Sequence, residues 1–149
     1  MNEPSLQKGL FIYGSYGTGK TLLMETIRKV GKDLITNVNC NDAWFSVINT
    51  ASFVDDYMRS TKDINTNFSL KSYHKGKLYI DDLGFENKAF NKTELLADLL
   101  FERYRNKSIT FVTTNLSPIQ ITEKYGDRIG DRLQEMFNII KWEGESFRK

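Results

Sequence analysis

The chain has a single cysteine and a single histidine among its 149 residues. Cys40 therefore has no partner for an internal disulfide, and neither residue belongs to a metal-ligand spacing. His74 lies between Tyr73 and Lys75 in a polar stretch and reads as a surface residue. No run is long and apolar enough to cross a bilayer. Glu3, Pro4 and Gln7 occupy the region where a secretory leader would be apolar. The expectation is a protein of the reducing cytoplasm, with no membrane partner. An excess of one charge is also missing: 21 Lys and Arg against 19 Asp and Glu leave a net +2. That balance does not by itself argue for a nucleic-acid partner, although a basic face can exist within it. Repeats and low-complexity linkers are absent. The length suits one domain whose core needs no disulfide or metal staple.

Strand-like apolar runs alternate with helix-like periods, the pattern of an α/β fold with a parallel sheet. The first strand is Gly9–Tyr13, followed by a glycine-rich turn and a helix from about Lys20 to Val30, closed by Gly31. A second strand is expected near Trp44–Ile48 and a helix from about Ser52, with Phe53, Val54, Tyr57 and Met58 on one face. The polar stretch Thr61–Gly76 reads as a loop or an irregular excursion. The third strand is Lys77–Asp81. Asn91 with Glu94 suggests a capping box for a helix whose stripe is Leu95, Leu96, Leu99, Leu100 and Tyr104. The fourth strand is Ser108–Thr113. Ser117, Pro118 and Gln120 form a second helix start, and a short helix over about Asp127–Met136 precedes a last strand, Phe137–Trp142.

Gly14-Ser15-Tyr16-Gly17-Thr18-Gly19-Lys20-Thr21 matches the phosphate-binding pattern G-x-x-x-x-G-K-[ST] without departure, between a strand and a helix. Glycines let the backbone curl so that amide N–H groups face phosphate oxygens, and the helix presents its positive end to the same anion. Lys20 can reach the β- and γ-phosphates, and the Thr21 hydroxyl can ligate Mg²⁺. Downstream, the apolar run Leu78-Tyr79-Ile80 ends in Asp81 and Asp82. A buried strand of this kind aims Asp81 at the Mg²⁺ shell beside Thr21, and Asp82 can orient or deprotonate a water. The bland alternative is an ordinary strand ending in an aspartate turn. A third run, Ile109 to Val112, ends in Thr113, Thr114 and Asn115. The Asn115 amide can contact both the γ-phosphate and the lytic water, or it can cap the next helix.

Together "GSYGTGKT", "LYIDDLG", "ITFVTTNLS", "YGDRIGDRL" and "EGESFR" resemble, in this order, the DnaC/DnaI helicase loaders and IstB transposition helpers of the AAA+ superfamily. The resemblance spans essentially the whole chain. It implies a P-loop NTPase sandwich with a five-stranded parallel sheet of order 5-1-4-3-2, and makes Asn115 the sensor-1 residue. It makes Arg132 the arginine finger that reaches a neighbouring subunit's ATP, with Arg128, one turn earlier, the second candidate. Salt bridges of these arginines to Glu123, Asp127 or Glu135 are the plain alternative. The second acid is Asp82 where glutamate is more usual; its shorter reach implies slow hydrolysis. No C-terminal helical lid is expected, and Arg148 is a weak sensor-like candidate. Related loaders carry an N-terminal helicase-binding domain, which is not expected here, so that residues 1–149 form one AAA+ domain. That domain is either cut from a longer chain or naturally reduced.

The resemblance implies ATP and Mg²⁺ as ligands, and a replicative helicase, single-stranded DNA and further copies of the chain (through Arg132) as partners. A transposase replaces the helicase in the IstB-like alternative. Phe53, Tyr57, Arg59, Lys62 and the lysines of Lys71–Lys77 are candidates for DNA contact, although most rings in a chain with 13% aromatics fill the core. No guanine-reading N-K-x-D motif is present. A small-molecule kinase and a non-hydrolysing ATP-dependent interaction module are the alternatives of another class.

Overall fold

Strands and helices alternate in the computed structural model, which describes residues 3–146. In order they are β1 (Gly9–Tyr13), α1 (Lys20–Val38), β2 (Ser46–Asn49), α2 (Thr50–Ser60), β3 (Leu78–Asp81), α3 (Leu95–Arg105), β4 (Thr110–Thr114), α4 (Pro118–Tyr125), α5 (Asp127–Met136) and β5 (Phe137–Lys141). All sheet pairings are parallel, and the strand order is β2-β3-β4-β1-β5, the expected 5-1-4-3-2 read from the other edge. Parallel neighbours require crossovers, and these carry the helices onto the two faces of the sheet.

Alternation along the strands divides the core. Phe11, Leu78, Ile80 and Val112 pack with Leu95, Leu96, Leu99 and Leu100 of α3 and with Ile121, Ile129 and Leu133 of α4 and α5. On the opposite face, Ile12 and Tyr79 pack with Met24 of α1 and with Phe45. Strands β3, β4 and β1 are parallel neighbours, so the loop after β1, the end of β3 and the end of β4 meet at the carboxyl ends of the strands, where ligands of open α/β sheets bind.

Several expected boundaries shift, each for a local reason. Helix α1 does not close at Gly31 but runs on to Val38, ending at Asn39 in the left-handed region (φ 56°). Gly31 is buried, and a Cβ there would lie 2.4 Å from the Ala43 carbonyl oxygen. The glycine serves a close approach, not a stop. The expected capping box at Asn91 and Glu94 does not form: Phe90 and Asn91 have φ of 52° and 56°, and α3 starts at Leu95 with no side-chain cap. An N-cap needs an extended backbone, which Asn91 lacks. Strand β2 lies slightly later than expected, and α2 starts at Thr50, where the Asn49 side chain accepts from the Ser52 N–H at 3.4 Å. The polar stretch after α2 is an irregular excursion, the second of the two expected forms: Leu70–Tyr73 forms a 3-10 turn, and the Phe68 and Tyr73 rings stand 5.4 and 5.0 Å from that of Phe53. The capping box of Ser117 and Gln120 forms as expected.

Candidate functional site

Between β1 and α1 the chain turns through Gly14, Gly17 and Gly19, at φ of 156°, 74° and 88°. The last two lie in the left-handed region that favours glycine. At Gly14 the constraint is contact: a Cβ would lie 2.0 Å from the Trp142 carbonyl oxygen. Trp142 also anchors the loop directly. Its backbone N–H donates to Tyr13 O at 2.7 Å and its indole N–H to Thr18 O at 2.9 Å. Gly19 is the N-cap of α1 and supplies no side-chain cap, and the positive N-terminal end of the helix faces the loop.

Lys20 is only 6% exposed. Its ammonium donates to the carbonyls of Gly14 (2.8 Å) and Ser15 (2.6 Å) and to Asn115 Oδ1 (2.9 Å). Ser117, not Asn115, caps α4, and the Asn115 amide oxygen bonds Lys20 instead. Lys20 and Asn115 border a cavity of about 490 Å³ together with Tyr16, Thr21 and Asp82.

Asp81 ends β3 under a cluster of hydroxyls. Its Oδ1 accepts from Thr21 Oγ1 (2.9 Å), Tyr79 Oη (2.6 Å) and Thr113 Oγ1 (2.7 Å). Burial, and then the Asp81 carboxylate, push the Tyr79 pKa far above its ordinary value, so the phenol stays a donor. Asp82 adopts a left-handed φ of 56°. Its carbonyl accepts from Thr50 Oγ1 at 2.8 Å and its N–H donates to Thr113 Oγ1 at 3.4 Å. Behind this turn, the buried Glu86 accepts from Gly84 N–H at 2.9 Å and from the Tyr125 hydroxyl, tying the turn to α4. Burial, reinforced by the Glu86 charge, raises the Tyr125 pKa.

The site thus gathers the residues of Gly14–Thr21, Asp81, Asp82 and Asn115. Arg128 and Arg132 stand elsewhere, on α5 against α3. The Arg128 guanidinium lies 3.2 Å from the Phe101 ring centroid, and that of Arg132 lies 5.6 Å from Phe101 and 5.2 Å from Tyr104. Arg132 Nη1 donates to Arg128 O at 2.8 Å, whereas its Nε is buried with no hydrogen-bond partner. Among the described residues no ion pair joins either arginine to Glu123, Asp127 or Glu135. Arg148 lies outside the described residues. Of the DNA candidates, Phe53 is a core residue at 3% exposure.

Tyr79, Trp142, Glu86 and Tyr125 are structural members of the site that the motifs alone do not reveal. Only Tyr79 had a sequence signal: two residues before Asp81 on a strand, it shares that residue's face.

Residues 3–139 match the bacterial DnaA ATPase domain family. The replicative helicase loader DnaI of Bacillus subtilis (strain 168) is 25% identical over 127 residues, which are 83% of this chain and 38% of that protein. The chain thus spans well under half the length of this relative. Among solved structures, the DnaC helicase loader aligns with a TM-score of 0.68 at 23% identity, covering 95% of this chain and 81% of the other. The replication initiator DnaA bound to AMPPCP and single-stranded DNA aligns with a TM-score of 0.66 at 22% identity, covering 95% and 42%. With a phosphate loop, paired aspartates and a strand-end asparagine at the carboxyl ends of the central strands of a 2-3-4-1-5 sheet, and with the family match spanning nearly all of it, this chain belongs to the bacterial DnaA ATPase domain family of AAA+ proteins.

Proposed function

We propose that this chain is an ATP-dependent switch of DNA replication that hydrolyses ATP slowly and works as a helicase loader, assembling on single-stranded DNA. The carrying observation is the convergence of three distant segments on one cavity: Lys20 bonded to Asn115, and Thr21 bonded to Asp81. The Gly14–Gly19 backbone and the α1 N-terminus cradle the phosphates, and Lys20 exchanges carbonyl contacts for β- and γ-phosphate oxygens. Thr21 and Asp81 supply a hydroxyl and a carboxylate, the hard oxygen donors that suit Mg²⁺. When bound, the ion neutralises charge on the β- and γ-phosphates. Asp82 orients the attacking water, and Asn115 bonds that water and the γ-phosphate. The AMPPCP bound to a DnaA of the same fold supports the nucleotide, and its single-stranded DNA supports the nucleic-acid partner. The likeness to DnaI supports a replicative helicase as the protein partner.

Arg132 completes the site from a neighbouring copy, with Arg128 beside it. Both lie away from this chain's own cavity, as a finger acting in trans requires. Residues 1–149 act as one AAA+ unit in this reading. The test is ATP turnover with and without single-stranded DNA, across protein concentrations, for the wild type and Arg132→Ala. Turnover per subunit should rise with concentration and DNA, and Arg132→Ala should abolish it while ATP still binds. Turnover independent of both, with a silent Arg132→Ala, contradicts the shared site.

A further inference from the structure

Asp81 accepts its three side-chain hydrogen bonds on a single oxygen. Thr21, Tyr79 and Thr113 all donate to Oδ1, and Oδ2 receives none of these bonds. Two of the donors belong to the buried sheet, not to the phosphate loop. Tyr79 is 1% exposed and Thr113 0% exposed. Their oxygens also lie 2.9 Å apart, closing a triangle with Oδ1.

The placement follows from strand geometry. Tyr79 and Asp81 are two apart on β3 and point to the same face. Tyr79 pairs with Phe111 on β4, so Thr113 lies two steps further along that strand, level with Asp81. The Tyr79 ring cannot swing away. It packs in the cluster of Ile12, Met24 and Phe45 under α1, edge-on to Phe45 with centroids 6.3 Å apart. Its hydroxyl therefore has a fixed position. A carboxylate held by two anchored O–H donors cannot rotate freely about its terminal bond, because rotation would break both charge-assisted bonds.

We propose that Tyr79, with Thr113, is a positioning residue for the metal-side carboxylate. The pair holds Oδ1 of Asp81 and so makes Oδ2 the oxygen offered to Mg²⁺. This rests on the reading of Asp81 as a magnesium-side ligand given above. Loss of a partner that orients a metal ligand typically costs about ten- to a hundredfold in metal affinity. Thr21 differs from the other two donors, since its hydroxyl is itself a candidate ligand. Once it turns to the ion, Tyr79 and Thr113 alone keep Asp81 in place.

The test reads the Mg²⁺ dependence of binding of a fluorescent ATP analogue to the full chain, with affinity in EDTA as the metal-free reference. Tyr79→Phe keeps the buried ring and removes only the hydroxyl. It should raise the Mg²⁺ concentration for half-maximal enhancement of binding by about tenfold, and leave the EDTA affinity unchanged. Thr113→Val should shift the midpoint in the same direction, and Thr113→Ser, which keeps the hydroxyl, should restore it. Unchanged affinity in EDTA guards against a folding defect in Tyr79→Phe and Thr113→Val. Asp81→Asn separates the two levels of the argument. If Asp81→Asn raises the midpoint while folded Tyr79→Phe and Thr113→Val leave it unchanged or lower it, the positioning role is overturned and the metal-side reading survives. If binding by the wild type is indifferent to Mg²⁺, or Asp81→Asn is silent, both fall together.

Discussion

Lys20 and Asn115, 95 residues apart in the chain, are joined by a 2.9 Å bond from the ammonium to the amide oxygen. The contact links the phosphate loop to the end of β4 and makes the two residues separable in experiment. In the proposed function Lys20 meets the phosphates in the ground state, whereas Asn115 acts on the γ-phosphate and water. Lys20→Ala should weaken ATP binding at least about tenfold, as expected when a charge-assisted contact worth roughly 1.5–3 kcal/mol is lost. Asn115→Ala should change binding by less than about threefold yet lower turnover by about a hundredfold, the scale seen on removing one transition-state donor. Equilibrium titration and single-turnover kinetics of both variants check this.

The left-handed backbone at Asp82 (φ 56°) sets two requirements in opposition. Aspartate tolerates this conformation better than longer side chains do, whereas glutamate reaches further toward a water. Asp82→Glu should therefore raise turnover severalfold while lowering stability by up to about 1 kcal/mol. Paired kinetics and urea unfolding test both halves. A variant that is stabler and slower contradicts the reading.

Glu86 and Tyr125 tie the turn after β3 to α4 through a buried carboxylate. Tyr125→Phe preserves the ring but removes a donor, which should cost about 1–3 kcal/mol in urea unfolding. Tyr125→Phe combined with Glu86→Leu should cost less than the two single losses added together, since the second change removes the stranded acceptor.

Arg103 is fully buried, donating to Thr110 Oγ1 (2.8 Å), Gly76 O (2.6 Å) and Ile109 O (2.8 Å). Burial pushes its pKa down to about 10, which still leaves it charged at neutral pH. Below about pH 9 the folded and unfolded chains hold this proton alike, so Arg103 adds no slope to stability against pH there. Above the folded pKa the native state sheds the proton first, and by this group alone stability would rise with pH. Arg103→Met should cost about 3–5 kcal/mol, because several buried carbonyls lose their donor at once. That loss should be constant from pH 6 to 9 in chemical denaturation.

The phosphate loop and Asp81 are legible in the sequence because they follow from local spacing and from burial on both faces of β3, whereas the strand order is legible only through the resemblance to a family of known fold. Gly31 misleads because glycine marks a helix end and a close approach alike, and only the position of Ala43 distinguishes them. Asn91 misleads because its spacing to Glu94 is that of a cap while its backbone is left-handed. Tyr79 passes as one more apolar residue of a buried strand until its hydroxyl is seen to reach Asp81. The packing of Arg128 and Arg132 on Phe101 is a contact between distant helices, which no periodicity encodes.

The most direct test of the central claim is ATP hydrolysis by the wild type and by Asp82→Asn, with nucleotide binding measured on the same samples. Asparagine suits the left-handed backbone at this position and removes only the charge. The account predicts slow, Mg²⁺-dependent turnover by the wild type and loss of turnover in Asp82→Asn, with binding retained. A wild type that binds ATP without hydrolysing it, or an Asp82→Asn variant as active as the wild type, would contradict it.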